Sequence, residues 1–139
     1  MICWLTGEKN APLQIRENTY LQGIVKELKR SLPEFRSEVA TIVHGDIKHS
    51  NWVITTSGMI YLVDWDSVRL TDRMYDVAFL LSHYIPYTRW GEWLNSYGYK
   101  DNEKVRSKVA WYGQFSYLSQ ILKDCFDKRD YGNHDHQEI

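Results

Sequence analysis

The sequence predicts a mostly helical α+β domain with a short β-hairpin at its centre, and three observations predict it. Apolar residues recur at helical spacing in the first quarter of the chain and again through most of the second half. Between these stretches, two apolar segments flank Thr56-Ser57-Gly58, a hairpin signal with glycine at the turn. Immediately before the hairpin, the polar run His44-Gly45-Asp46-Ile47-Lys48-His49-Ser50-Asn51 follows a β-branched stretch, as a loop follows a buried strand.

Residues 1–12 contain the breakers Gly7, Asn10 and Pro12 and are expected to be irregular. Over residues 13–32, Leu21, Ile24, Val25, Leu28 and Leu32 share one helix face, Lys26, Glu27, Lys29 and Arg30 take the other, and Pro33 marks the stop. Residues 39–43 predict a buried strand, and 52–55 and 59–63 the two arms of the hairpin, with Asp64 at the end of the second arm. Residues 70–72 read as a connector. Met74, Val77, Ala78, Leu80, Leu81 and Tyr84 predict a strongly apolar helix over 75–84, ended by Pro86. A shorter amphipathic helix is expected over 88–97, with Gly98 at its end. Asp101 or Asn102 can cap a last helix reaching about residue 127, with Val105, Val109, Tyr112, Phe115, Leu118, Leu122 and Phe126 along its apolar stripe. Residues 128–139 are polar and expected to be irregular or flexible, and their His134 and His136 read as a solvated pair. With no repeat, low-complexity tract or linker, residues 1–139 read as a single domain.

A chain of 139 residues can build a real core. The net charge of −1 and the lack of a basic run argue against nucleic acid as the main partner, because backbone phosphates demand a cationic footprint. No apolar run reaches the roughly 20 residues of a membrane span, and the first residues lack the pattern of a signal peptide. Cys3 and Cys125 have no metal-ligand spacing and read as reduced thiols, which together with the missing span and leader predicts a cytoplasmic protein. Six Trp and ten Tyr are assigned to core and cleft walls, where a ring can be half apolar and half wet.

The chemistry concentrates between His44 and Asp66. Transfer of a phosphoryl group to an alcohol asks for a carboxylate that takes the hydroxyl proton and for oxygen ligands that hold Mg²⁺ against phosphates. Asp46 fits the first task; the amide oxygen of Asn51 and the carboxylate of Asp64, folded back by the hairpin, fit the second. Bland readings compete with each. A lone loop aspartate usually makes an Asx-turn, but Asp46 stands in a full pattern of spaced groups. His44 beside a strand reads as a hydrogen-bonded packing residue, and His49 as a loop contact, since hard Mg²⁺ prefers oxygen. Asp76 can cap the helix that follows the hairpin or support the loop, and the two are compatible.

The order His-x-Asp-x-x-x-x-Asn, hairpin, then Asp at a strand end is similar to the catalytic core of protein kinases and their small-molecule relatives. Gly45 and Asp64-Trp65-Asp66 resemble the aminoglycoside phosphotransferase and choline kinase branch, where protein kinases carry Arg and Asp-Phe-Gly. The string from His44 to Pro86 resembles a bacterial subgroup described broadly as phosphotransferases. The resemblance covers most of residues 35–125. It implies a protein-kinase-like C-terminal lobe holding the catalytic and substrate parts, with ATP as co-substrate, Mg²⁺, and the hydroxyl of a sugar-, nucleoside- or amino-alcohol-like small molecule. By the same resemblance Asp46 is the catalytic base, Asn51 and Asp64 are the metal ligands, Lys48 joins them in contacting the cofactor, and His44, Asp66 and Asp76 support the site. Arg69, Asp72, Tyr84, Tyr87, Arg89 and Trp90 are candidates for substrate selection by position alone.

Such a fold also needs an N-terminal lobe with a strand lysine and a glycine-rich loop over the nucleotide, and the residues before His44 read as a loop and one helix. The expectation is a lobe whose N-terminal partner is absent, either truncated or naturally short, which binds ATP weakly alone. Its lobe-facing surface is expected to be exposed and apolar and could support a dimer. Two other readings compete: a non-catalytic, pseudokinase-like interaction module, and a metal-dependent hydrolase built on Asp46, Asp64 and Asp66. The Asn51 spacing has no purpose in the hydrolase.

Overall fold

A computed structural model describes residues 16–35 and 39–132. The expectations for residues 1–12, His134 and His136 fall outside the described residues. By their contacts the residues divide into two units, one within Met1–Glu34 and Gln114–Ile139, the other within Phe35–Gly113.

The first unit holds helix α1, Thr19–Phe35. Asn18 starts it by accepting the Leu21 N–H on its side-chain oxygen at 3.1 Å, satisfying one of the orphan donors of the first turn. Leu28 is its fully buried residue, and Glu27 pairs with Arg30 on the exposed side. The helix runs two residues beyond Pro33, the residue expected to stop it. A proline there forfeits one backbone bond and crowds the carbonyl four residues back, and only two residues of helix follow it.

The second unit carries the strands of the described residues. β1, Thr41–Val43, pairs antiparallel with β4, Arg69–Thr71, in the register Thr41↔Thr71, Ile42↔Leu70, Val43↔Arg69. β2, Trp52–Ile54, and β3, Ile60–Leu62, form the hairpin, with Trp52 opposite Leu62 and Ile54 opposite Ile60. Gly58 turns it at φ +80°, a conformation that suits glycine, and donates its N–H to Thr55 O at 2.9 Å. The hairpin is where the pattern of residues 52–63 places it. β4 is not: residues 70–72 read as a connector, because three residues cannot display an alternating pattern and β4 is defined only by its distant partner β1. Both ladders leave large apolar side chains outside, Ile42 and Leu70 each 71% exposed and Ile54 70%.

Helix α2 is Met74–Tyr84, α3 Trp90–Ser96 and α4 Glu103–Gly132. Met74, Ala78 and Leu81 of α2, Leu94 of α3 and Val109 of α4 have no exposed surface and form the centre of the second unit's core. Trp90 is buried too, and its indole N–H is placed against Leu81 O at 3.2 Å and Ile85 O at 3.0 Å, so it closes the end of α2 and is a packing residue. Gly98 ends α3 at φ +80°. Of the two capping candidates for α4, Asn102 does the work, its side-chain oxygen accepting the Val105 N–H at 3.0 Å, while Asp101 pairs with Arg106. α4 continues to Gly132, past the expected end near residue 127. A polar end of a helix carries no periodicity by which to place it. The described residues are mostly helical with two small antiparallel ladders, an α+β arrangement. No helix among them is long and apolar enough to cross a membrane.

One close approach inside this unit is testable. A Cβ on buried Gly113 would lie 2.2 Å from Ser82 Oγ and 3.0 Å from Ser82 Cβ, so α4 meets α2 with no room for a methyl group. Gly113→Ala is expected to destabilise the chain by about 1–3 kcal/mol in denaturant unfolding, despite alanine's better helix propensity. Adding Ser82→Gly should recover most of that loss.

Candidate active site

The loop 44–51 leaves β1 and returns into β2, and its shape is set by side chains that grip its backbone. His44, 2% exposed, uses both ring nitrogens. Nδ1 accepts the Asp46 N–H at 3.3 Å, which leaves Nε2 as the donor to Val63 O at 2.9 Å. The ring also lies edge-on to Trp65, 4.7 Å between centroids. With both nitrogens engaged, His44 has the surroundings of a packing residue and not of a base. Asp76, in the first turn of α2, accepts the His44 N–H on Oδ2 at 2.7 Å and the Gly45 N–H on Oδ1 at 3.0 Å. The helix end itself is served by Asp72, whose Oδ1 accepts the Met74 N–H at 2.8 Å.

Asp46 sits at the middle of this loop. Its carbonyl accepts Asn51 Nδ2 at 2.7 Å, and its Oδ2 lies 2.8 Å from the Lys48 ammonium. That hydrogen bond is the main reason the lysine is held above its ordinary value, against the opposing effect of burial. The lysine's side of the pairing is therefore fully present below its ordinary value near 10.5 and is lost as pH rises through the raised one. His49 donates its backbone N–H to the Tyr84 hydroxyl at 3.1 Å, which ties the loop's far end to the end of α2.

Asn51 is 5% exposed. Because its Nδ2 donates back to Asp46 O, its Oδ1 remains as the acceptor, with a long 3.4 Å contact from Ser50 Oγ. The Val63 N–H donates to Asn51 O at 2.9 Å, extending the hairpin by one step and delivering Asp64 next along the chain. Asp64 is exposed and left-handed, at φ 63° and ψ 66°, the one non-glycine with positive φ among the described residues. Such a backbone costs energy for any residue with a Cβ, though aspartate tolerates it better than most. A single turn, Trp65–Ser67, follows; it carries Asp66 exposed and is held by the Trp65 indole N–H on Leu62 O at 2.8 Å.

These donors fit a hard divalent cation. An amide oxygen left as an acceptor because its own NH₂ group is engaged, and a carboxylate on the adjoining segment, supply two oxygens and no nitrogen or sulfur. No group of three His, Cys, Asp or Glu side chains gathers among the described residues. Mg²⁺ commonly takes only one or two protein oxygens and completes its shell with water and phosphate.

The positions considered for substrate selection scatter. Asp72 is buried, with the Lys108 ammonium against Oδ2, and its charge adds to burial in pushing the Tyr112 phenol upward. Tyr87 lies under the Arg106 guanidinium, and Arg89 pairs with Glu92 beside an open cleft of about 360 Å³ lined also by Trp93, Ser96 and Tyr97. Arg69 turns toward Gly45, a contact that no spacing in the sequence signals. Of this group only Arg69 and Tyr84 touch the loop, at its two ends.

On the outer part of α2, His83 stacks on Phe79 at 4.2 Å, and burial holds it below its ordinary value near 6.5. The unfolded chain therefore binds the proton more readily. The destabilisation begins as pH falls through the ordinary value and is complete below the lowered one. His83→Gln should flatten the loss of stability between pH 7 and pH 5 in parallel thermal melts.

A family model described as the phosphotransferase enzyme family matches residues 4–112, and the chain belongs to that family. Phosphotransferase activity in general follows from this membership. The match begins at residue 4, well before the motif-bearing stretch, so residues ahead of β1 belong to the family pattern although they carry no legible motif.

Proposed function

We propose that this protein transfers the γ-phosphoryl group of ATP to a hydroxyl of a small molecule of the sugar, nucleoside or amino-alcohol kind. One observation carries the reading furthest. Asn51 anchors its NH₂ on the Asp46 carbonyl, which leaves its oxygen as the acceptor end and couples a base candidate to a metal-ligand candidate in one loop. Asp46 is the base, its carboxylate orienting the acceptor hydroxyl and taking its proton as the oxygen attacks the γ-phosphorus. The bond from that phosphorus to the β,γ-bridging oxygen breaks, and ADP leaves with the electron pair. Asn51 and Asp64 would hold Mg²⁺, which when bound neutralises phosphate charge. Lys48, 2.8 Å from Asp46 in the structure, is the cation nearest the base and contacts phosphate oxygens once nucleotide is present. His44, Asp76 and Asp66 support the loop and the metal segment.

No lysine stands on a strand among the described residues, so the clamp on the α- and β-phosphates is not among the groups identified. On this reading residues 1–139 alone bind ATP·Mg weakly and turn over slowly. Self-association through the exposed lobe-facing surface belongs to the same proposal.

The test is a Mg²⁺-dependent screen of hydroxyl compounds with the full-length gene product and its Asp46→Ala variant. Transfer that disappears in a folded Asp46→Ala protein supports the proposal. If neither protein transfers phosphate to any acceptor while both fold, the proposal fails and the interaction-module reading takes its place.

A further inference from the structure

We propose that Arg69 is a positioning residue for Asp46, acting through the carbonyl of Gly45; this rests on the reading of Asp46 as the base. The backbones of Gly45 and Asp46 carry four hydrogen-bonding groups, and each has a partner. The Gly45 N–H goes to Asp76, the Asp46 N–H to His44 Nδ1, and the Asp46 carbonyl receives Asn51. The Gly45 carbonyl receives Arg69 Nη2, at 3.2 Å. Three of the four partners sit at spaced motif positions; Arg69 arrives from β4 and completes the set.

The guanidinium is itself fixed. The same Nη2 is 3.3 Å from the Tyr75 hydroxyl, and the group lies 4.7 Å over the Tyr75 ring, which is buried. In the β1–β4 ladder Arg69 stands opposite Val43, the residue before His44, so the strand register delivers it to the start of the loop. A cationic donor on a carbonyl in this half-buried setting is stronger than a neutral one. A lysine ammonium lacks the flat face that lies on Tyr75.

Gly45 is the other half of the device. At φ +83° it is left-handed, and a Cβ there would lie 2.5 Å from Ser67 O, 2.8 Å from Arg69 Nη2 and 3.0 Å from Arg69 Nε. The space that a side chain at position 45 would need is filled by the Ser67 carbonyl and by the guanidinium of position 69, so glycine lets both close on the loop. By fixing the peptide that enters Asp46, Arg69 sets the direction of its carboxylate, and its loss is felt in the rate of transfer and not in nucleotide binding.

Amide hydrogen exchange by NMR on the 139-residue chain tests the grip without calling on activity. Arg69→Met is expected to speed exchange of the Asp46 amide about 10- to 100-fold, the scale of one lost charged hydrogen bond. Amides of Thr41–Val43 and of α2 should keep wild-type protection, and Arg69→Lys should not restore Asp46. If Arg69→Met does not fold, Tyr75→Phe, which removes the hydroxyl beside Nη2, should speed Asp46 exchange in the same selective way. In the full-length product Arg69→Met should lower kcat by a similar factor at unchanged KM for ATP. Unchanged exchange at Asp46 overturns the proposal, as does equal loss of protection through β1 and α2, which would make Arg69 merely structural. Should no acceptor be phosphorylated by the wild type, the reading of Asp46 fails while the exchange result still decides the grip.

Discussion

Asp46→Asn in the full-length gene product is expected to lower phosphoryl transfer by about 10²- to 10⁴-fold, the range that a positioned general base contributes. Asparagine keeps the size of the side chain, and the backbone contacts of position 46 to His44 and Asn51 involve only main-chain atoms of that residue. What changes is the capacity to accept a proton, the charge opposite Lys48, and a long 3.4 Å contact from Asn51 Nδ2 to Oδ2. That ion pair is partly exposed, so its loss should cost less than about 1 kcal/mol of stability. The expected signature is a fall in kcat with little change in KM for ATP and a melting temperature close to wild type. An Asp46→Asn enzyme retaining more than a tenth of wild-type kcat would remove the base role.

The hairpin and the loop before it were legible because their signals are local: glycine at the turn, β-branched arms, and polar residues where a strand should end. The groups of the candidate site were legible for the same reason, lying in order over one short stretch. What escaped the sequence was whatever depends on a distant partner. β4 exists through its pairing with β1, and a three-residue strand carries no period of its own. Arg69 and Asp72 looked alike as polar residues after the hairpin, yet one turns to the Gly45 carbonyl and the other is buried against Lys108. Nor could spacing divide the labour between Asp72 and Asp76, both near the start of α2. The geometry gives the helix end to the first and the loop to the second.

That division makes Asp76→Ala the substitution with the largest expected effect on stability, about 3–5 kcal/mol. Two backbone donors, His44 N–H and Gly45 N–H, depend on one carboxylate at 2.7 and 3.0 Å. Hydrogen bonds to a charged group contribute about 1.5–3 kcal/mol each, and a buried donor left without its acceptor bears the full cost of desolvation. Alanine removes both acceptors at once. Asparagine is no remedy, because it offers one acceptor and one NH₂ group, and the NH₂ would face an N–H; Asp76→Asn should lose at least half as much as the alanine. A pure helix-capping role would predict the opposite, since asparagine caps about as well as aspartate. Denaturant unfolding of the two variants, compared by midpoint at equal slope, separates the cases. A loss under 1 kcal/mol for Asp76→Ala, or a fully stable Asp76→Asn, would mean that the loop holds its shape without this carboxylate.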